Sequence, residues 1–494
     1  MLRRCLFDSA FSRDAFSRDP KGSAGEDALP FGSRLNGRRG RVIEVIVVLT
    51  AVVIAAVSAR DFAWGANDKS RLATVECLVD YHTFAIDRST WFAETCDMIR
   101  PHPDGPFFSD KPPVMALLLA VPYQVMQSVF GIRAADHKEV FCYLLTLFSS
   151  GLAYVVAVWC VFRLGRVVGL SPGWAAALTA SFALATIAPV YARHVNSSLP
   201  TLAAALAVVL NLAAIRKRTD SADSFSLPHK GGGGKSGRLL LIGALCGFAY
   251  ALEQPTGGLL LAAAVVTAAV RLRPPSVIVW IVLAALPWGI LHHAVVYGYT
   301  GMIGPAGANP AFWDYPGSQF DAHDLTGRWN HAGLGDFIAY AFLLLFGSRG
   351  FLLSNPTLLL AVPAAGWALW RLPAARVETV CFGLWCLGVW LLYAALSTNY
   401  GGACCSIRWF VPLLAPAVYW LALMLRDLPQ FRMDFIVFSG WGAVLAAYFW
   451  VYGPFGAFDY QPSFPYFFWS VQAAGCFIWL IYRAAVPISA APRL

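Results

Sequence analysis

The sequence predicts an all-α fold: a polytopic transmembrane helical bundle of about 12–13 spans, with a large first extracytoplasmic loop that carries juxtamembrane helices. Three observations lead there. The 494 residues are 58% hydrophobic and only 13% charged, against about 25% charged in a soluble domain. Their mean hydropathy is +0.59, and the apolar residues fall in runs near the roughly 20 needed to cross a bilayer. Lys and Arg then gather on alternate loops, as the positive-inside rule expects. The net charge of +9 is accounted for by those cytoplasmic loops. No zinc-finger or basic-helix pattern points to a nucleic acid.

Residues 1–40 are polar and basic, and the run Ala-Phe-Ser-Arg-Asp occurs twice, at 10–14 and 15–19. No helical period runs through them, so a disordered cytoplasmic arm is expected, with the membrane domain occupying 41–494. The first apolar run starts at Val42, too far from Met1 for an ordinary secretory signal, and reads as an uncleaved anchor. The expected spans are 42–59, 138–162, 173–191, 200–215, 238–253, 256–270, 276–296, 350–370, 377–396, 409–425, 435–452 and 467–483. The loop 216–237 contains Gly231 to Gly234 and reads as a flexible cytoplasmic linker.

The run Val114–Phe130 is ambiguous. If it does not span, Arg163, Arg166, Arg216, Lys217, Arg218, Lys230, Lys235, Arg238, Arg271, Arg273, Arg371, Arg376, Arg426 and Arg432 all fall inside. If it spans, every later loop swaps sides and the bias reverses. A non-spanning interfacial helix is therefore expected, which Pro122, Gln124, Gln127 and Ser128 also suit. The outside loops are then 60–137, 192–199, a short turn near Glu253, 297–349, 397–408 and 453–466.

The polar stretch Arg60–Pro113 holds a dense set of ionisable side chains between two long apolar regions, among them Asp61, Asp68, Arg71, Glu76, Asp80, Asp87, Glu94, Asp97, Asp104, Asp110 and Lys111. Charged groups are costly in a bilayer, so this stretch is where chemistry is expected. Asp68 precedes Leu72, Val75, Leu78 and Val79, the spacing of a short amphipathic helix at the membrane surface. It is either a helix cap or a catalytic carboxylate. Asp110-Lys111-Pro112-Pro113 leads into the 114–130 helix, and the prolines suit a first turn. Lys111 there is either a phosphate ligand or a snorkelling lysine. Arg349 and Arg408 flank glycines at an outer edge, as phosphate ligands or interfacial anchors. Glu253 is an isolated acid at a span end; His292 and His293 lie within a span. Trp313, Asp314, Tyr315, Asp321, His323 and Asp324 form a loop cluster that either contacts an acceptor or simply folds over. Most of the eleven cysteines fall in apolar runs as small buried side chains, without metal-ligand spacing; Cys77 and Cys96 share the first loop and could pair there.

Asp68-Lys69-Ser70-Arg71-Leu72-Ala73 after the first span, then Phe108-Ser109-Asp110-Lys111-Pro112-Pro113 before an apolar helix, resembles the C-type polytopic membrane glycosyltransferases (GT-C). The lipid A aminoarabinose transferases and protein O-mannosyltransferases are the nearer groups. The stretches 346–356 and 400–412 look like outer-loop motifs of related bacterial membrane proteins. The resemblance is specific mainly over 67–113. It implies transfer of a sugar from a polyprenyl-phosphate donor to a lipid, glycan or protein acceptor, with inversion, on the extracytoplasmic face of a bacterial inner membrane. It puts Asp68 on the family's essential acidic position and Lys111 on its lysine. Arg349 and Arg408 would help hold the donor phosphate, with Arg71, Asp110, His194, Asn196 and Glu253 as further substrate contacts. Lys69 stands where many relatives carry Glu, and His194 and Asn196 fall where close relatives carry a second Asp. No cofactor is specified, though the resemblance leaves room for a divalent metal. The rival reading is a multi-pass transporter or lipid flippase, whose site would lie near mid-membrane between internal repeats.

Overall fold

A computed structural model describes residues 29–222, 233–272, 276–402, 404–455 and 462–486. Most of the expected arm, 1–28, and the centre of the expected linker, 223–232, fall outside them. The chain divides into a short unit ending at Val42 and a large one from Ile43 onward. The described part of the first is helical, the opening of α1 (Leu29–Ser58).

The fold is all-α. Among the described residues, nine helices are long and apolar enough to cross a membrane: Arg39–Ser58, Lys138–Val168, Ser198–Lys217, Val277–Thr300, Leu334–Ser354, Pro373–Ala395, Arg408–Asp427, Pro429–Tyr452 and Phe464–Ala485. Shorter apolar helices cover Val114–Phe130, Gly237–Leu252 and Leu358–Arg371. Two long helices are central: 83% of the Ser198–Lys217 window and 94% of the Arg408–Asp427 window are buried, against 22% for Val277–Thr300 and Phe464–Ala485 at the rim. The rim helices present Val279, Leu283, Ile290, Phe477 and Ile481 outward, as lipid-facing surfaces do. Gly243 and Gly247 sit one turn apart, where an added Cβ would strike the Ile281 and Ala285 backbone. That small-residue stripe lets Gly233–Leu252 pack tightly on Ser276–Thr300.

One expected boundary is corrected. The range 297–349, read as an outer loop, contains the apolar helix Leu334–Phe346, and the expected span 350–370 is split into Phe351–Ser354 and Leu358–Arg371. The run Gly347-Ser348-Arg349-Gly350 and the Asn355-Pro356 pair each interrupt the helical ladder, so the tract read as one span becomes two pieces and a third helix precedes them in the range read as loop.

The first loop folds as a small layer. α2 (Ala66–Asp80) packs on α3 (Val114–Phe130), with Leu72, Val75 and Val79 against Met115, Leu119, Tyr123 and Met126. α2 was expected to be amphipathic and is instead buried nearly all round, Asn67, Asp68, Ser70, Arg71 and Glu76 included. Its polar face turns toward other protein segments rather than water. α3 keeps Leu118, Val121, Val125, Val129 and Phe130 exposed, an apolar outer face. Glu76 pins the 81–95 segment by accepting from Ser89 Oγ (2.6 Å) and Thr90 N (2.9 Å), and burial raises its carboxyl above the ordinary range despite these bonds. Cys77 and Cys96, which could have paired in this loop, are free thiols.

The antiparallel strands β1 (Met98–Ile99) and β2 (Phe108–Ser109) close a hairpin in register Met98–Ser109. The 301–333 segment folds over that hairpin through Arg100 N to Phe312 O (2.8 Å) and Tyr315 Oη to Met98 O (3.1 Å). Of the cluster read there, Trp313 and Tyr315 are buried, while Asp314, Asp321, His323 and Asp324 are exposed.

Candidate functional site

The site is assembled by three local devices. First, α2 starts after Gly65, so Asp68 sits in its first turn and accepts from Trp64 N at 2.8 Å. Gly65 is the N-cap and no side chain caps the helix; the Asp68 bond ties down the chain ahead of the helix and uses one carboxylate oxygen. The other, Oδ1, is buried without a partner. Second, the helix Lys138–Val168 contains a π-helical turn at Leu147–Gly151, a feature frequent at functional sites. It presents Ser150 Oγ to His194 O (2.7 Å) and to Asn196 Nδ2 (3.0 Å). The 192–197 segment is held there, and His194 Nδ1 stands 3.4 Å from Asp68 Oδ2. Both residues are almost fully buried, at 2% and 1% exposure. Nδ1 makes no hydrogen bond in this arrangement; catalytic bonds are often loose before substrate binds.

Third, extending the hairpin register by one residue beyond the Met98–Ser109 pair sets Asp97 opposite Asp110. Like charges directly opposed are unfavourable, and Lys111 answers both: Nζ lies 2.8 Å from Asp97 Oδ2 and 2.8 Å from Asp110 Oδ2. Burial still pushes the Asp110 carboxyl above its ordinary range, the pull of Lys111 opposing and Asp97 adding to it. Asp110 Oδ1 is buried and unpaired. Ser70 and Ser109 tie the hairpin to α2 by their hydroxyls at 2.6 Å.

These devices meet at Asn67. With its amide oxygen toward the site, Asn67 accepts from Lys111 Nζ (3.2 Å) and from Arg408. Turned over, it meets only Arg71 Nε at 3.3 Å; the orientation with two cationic donors is the better satisfied. Arg71 is 4% exposed and reaches Ser197 Oγ at 3.1 Å. Ser197 in turn donates to Glu253 Oε1 at 2.9 Å, as Ser198 does at 3.1 Å. Glu253 sits between the helices Gly233–Leu252 and Gln254–Arg271, and its Oε2 is buried and unpaired. Burial, then the like charge of Arg408, lower Arg71 to about 10, while Glu253, Asp110 and Asp97 pull it back up; it stays protonated at physiological pH.

Of the residues singled out in the sequence, Asp68, Arg71, Asp110, Lys111, His194, Glu253 and Arg408 therefore lie in one connected cluster. Two are set apart. The Asn196 amide is engaged by Tyr191 O, His194 O, Ser150 Oγ and Leu199 N, which makes it a strut at the start of the next helix. Arg349 contacts Gly402 O at 3.5 Å, on the loop that leads to Arg408. His292 and His293 bond Gln254 (3.0 Å) and Tyr250 (2.9 Å) as polar links between helices. Asn67, Asp97 and Ser197 were not singled out as site residues. Only the hairpin register brings Asp97 to Lys111, and no spacing in the sequence encodes that.

The donor set does not fit a divalent ion in this arrangement. Among the described residues no group of three or more His, Cys, Asp or Glu is placed to hold one, and the gap between Asp97 and Asp110 is filled by the Lys111 ammonium.

No family model matches the sequence, and no curated protein matches it. Solved structures are similar to it, among them the following three. ArnT from Cupriavidus metallidurans bound to undecaprenyl phosphate aligns at 14% identity and TM-score 0.49, over 88% of this chain and 72% of that one. The Archaeoglobus fulgidus oligosaccharyltransferase complexed with Zn and sulfate aligns at 11% and 0.46, over 84% and 53%. AglB from Archaeoglobus fulgidus, in complex with an inhibitory peptide and a dolichol-phosphate, aligns at 13% and 0.42, over 90% and 54%. The chain spans about half the length of the two archaeal chains.

Proposed function

We propose that this protein is an integral membrane glycosyltransferase. It moves a sugar from a polyprenyl-phosphate donor to an acceptor on the extracytoplasmic face, with inversion at the anomeric carbon. The observation that carries this reading is the convergence of Lys111 and Arg408 on the Asn67 side-chain oxygen, with Arg71 one turn further along the same helix and Asp68, whose Oδ1 is buried and unpaired, next in sequence. Arginine forks match phosphate oxygens, and such a cluster gives a phosphate a place to sit and offsets its charge as it leaves.

In the reaction an acceptor hydroxyl or amine attacks the anomeric carbon. The bond from that carbon to the phosphate oxygen breaks, its electron pair leaving with the phosphate, and the acceptor's proton passes to Asp68. The phosphate is a good leaving group once cations surround it, so no acid is needed to protonate it. One base, acting without a sugar–enzyme intermediate, yields inversion. Arg408 and Arg71 are the principal donor-phosphate ligands, and Arg349 serves a more distal part of the donor. Lys111 is held between two acids and orders the site as much as it binds.

The cluster lies at helix ends and loops rather than within spans, which favours an enzyme over a transporter, whose site sits near mid-membrane. The test is direct: purified protein in lipid is offered a panel of polyprenyl-phosphate sugars, and transfer or hydrolysis is followed. Consumption of a donor by the wild type and its loss in Asp68→Asn supports the reading. No consumption of any donor, with tight transport of one across the bilayer, overturns it.

A further inference from the structure

A second cationic site lies beside the first and takes no part in the chemistry above. The C-termini of α1 and of the helix Arg432–Tyr452 meet, with Trp450 Nε1 donating to Ser58 Oγ at 2.9 Å. Two arginines converge there. The guanidinium carbons of Arg60 and Arg193 each lie 5.8 Å from the Trp450 ring centre, and Arg60 N donates to Arg193 O at 3.0 Å. No carboxylate pairs with either among the described residues. Arg193 is 5% exposed, and its Nε has no partner; Arg60 is half-buried, and its Nε has none either.

The bland account is helix capping, since Arg193 donates through one terminal nitrogen to the carbonyls of Val451 and Gly453. The charge balance shows that this is not enough. Each helix C-terminus carries roughly half a negative charge, so two of them offset about one of the two positive charges and leave about one unanswered. Burial, with Arg60 adding its like charge, pulls Arg193 down to about 10, the direction expected of a cation short of a counterion.

The surroundings say what kind of anion fits. Val57 (61% exposed), Val451 (54%) and Tyr452 (43%) present an apolar surface on the same helix ends, continued by Phe62 and Trp64. A single negative charge on an apolar stem matches one uncompensated positive charge at the rim of an apolar wall. We propose that Arg60, Arg193 and Trp450 form a binding site for the phosphate headgroup of an anionic membrane lipid, whose chains run along α1 and the helix Arg432–Tyr452. Arginine offers a planar fork for the phosphate oxygens, and both guanidiniums lie within cation–π range of the Trp450 ring.

The site is read by binding alone, so its test is independent of sugar transfer. The full chain, purified in detergent and stripped of lipid, is titrated with phosphatidylglycerol, phosphatidylcholine or inorganic phosphate, and bound ligand is counted by native mass spectrometry. The wild type should retain phosphatidylglycerol over phosphatidylcholine. Arg60→Gln should weaken that binding about tenfold, the scale of one charge-assisted bond, and Arg60→Lys should recover part of it. Arg193→Gln should weaken it as well, and its thermal unfolding reports separately on the lost helix cap. Equal phosphatidylglycerol binding by wild type and Arg60→Gln overturns the site. Inorganic phosphate competing as well as the lipid, mole for mole, overturns the lipid and leaves a free-anion site.

Discussion

Two sets of charges in this protein are built to opposite rules. At Arg271–Glu378 both carboxylate oxygens are taken, Oε1 by Nε at 2.9 Å and Oε2 by a terminal nitrogen at 2.7 Å. At Arg483–Asp434 the same fork recurs, with Trp479 Nε1 adding a third donor at 2.8 Å. These acids are 0% and 1% exposed and have nothing left to offer. In the Asp68 cluster the acids are left short: Asp68 Oδ1, Asp110 Oδ1 and Glu253 Oε2 are all buried and unpaired. Leaving such an atom unpaired costs about 1–3 kcal/mol. Saturated pairs hold helices together; unsaturated ones hold a place for something that arrives. The contrast teaches that burial of charge alone does not mark a site; nor does one unpaired atom, since Glu76 Oε1 is also buried and unpaired while Glu76 pins the 81–95 segment, and what sets the Asp68 cluster apart is three such acids gathered among cations.

The largest effect that separates the two sets is expected at Asp68. Asp68→Asn keeps the shape and the Trp64 bond while removing the base. Turnover should fall by roughly 10²–10⁴-fold with the melting temperature nearly unchanged; near-normal turnover would reduce Asp68 to a tie on the chain ahead of its helix. The mirror experiment is Glu378→Ala, which removes the carboxylate from Arg271. It should cost about 3 kcal/mol of stability, read as an early melt in detergent, while turnover per folded molecule stays within twofold. A loss of turnover without a loss of stability would break the comparison.

Lys111 tests the middle ground. Lys111→Ala leaves Asp97 and Asp110 facing each other, so both stability and donor affinity should drop, the latter by roughly tenfold. Adding Asp110→Asn removes the repulsion and should restore the melting temperature. Donor affinity that recovers with it would show that Lys111 only orders the hairpin. A smaller effect is expected at His194. His194→Asn can still offer an N–H toward Asp68 and should keep turnover within about threefold, whereas His194→Leu should lose about tenfold; identical losses in both would assign His194 to packing.

The smallest effect is the pH dependence of Asp110. Its folded-state value is raised by burial, so folding favours the protonated acid. That contribution is full below the ordinary aspartate range and is lost as pH rises through the raised value. The wild type should therefore lose stability relative to Asp110→Asn on going from acid toward neutral pH. A difference that is flat with pH, or that grows, would show that folding does not raise the Asp110 carboxyl.

How much was legible depends on which interactions are local. Composition and run length determined the all-α, membrane-spanning fold, because every backbone group must be satisfied inside a bilayer and a helix does this within its own segment. The α2 and α3 helices and the Pro112-Pro113 lead-in were legible for the same reason. So were Asp68, Arg71, Asp110, Lys111, Glu253 and Arg408 as unusual charges beside apolar runs. What the sequence could not say is which charges are answered and by what. The division of one apolar tract at Gly347–Gly350 and Asn355-Pro356, the opposition of Asp97 and Asp110 across a hairpin and the delivery of His194 by a π-helical turn are tertiary decisions. So is the pair Arg60 and Arg193 around one indole. Each depends on register, or on the meeting of segments far apart in the chain, and a shift of one residue would send the same side chains elsewhere.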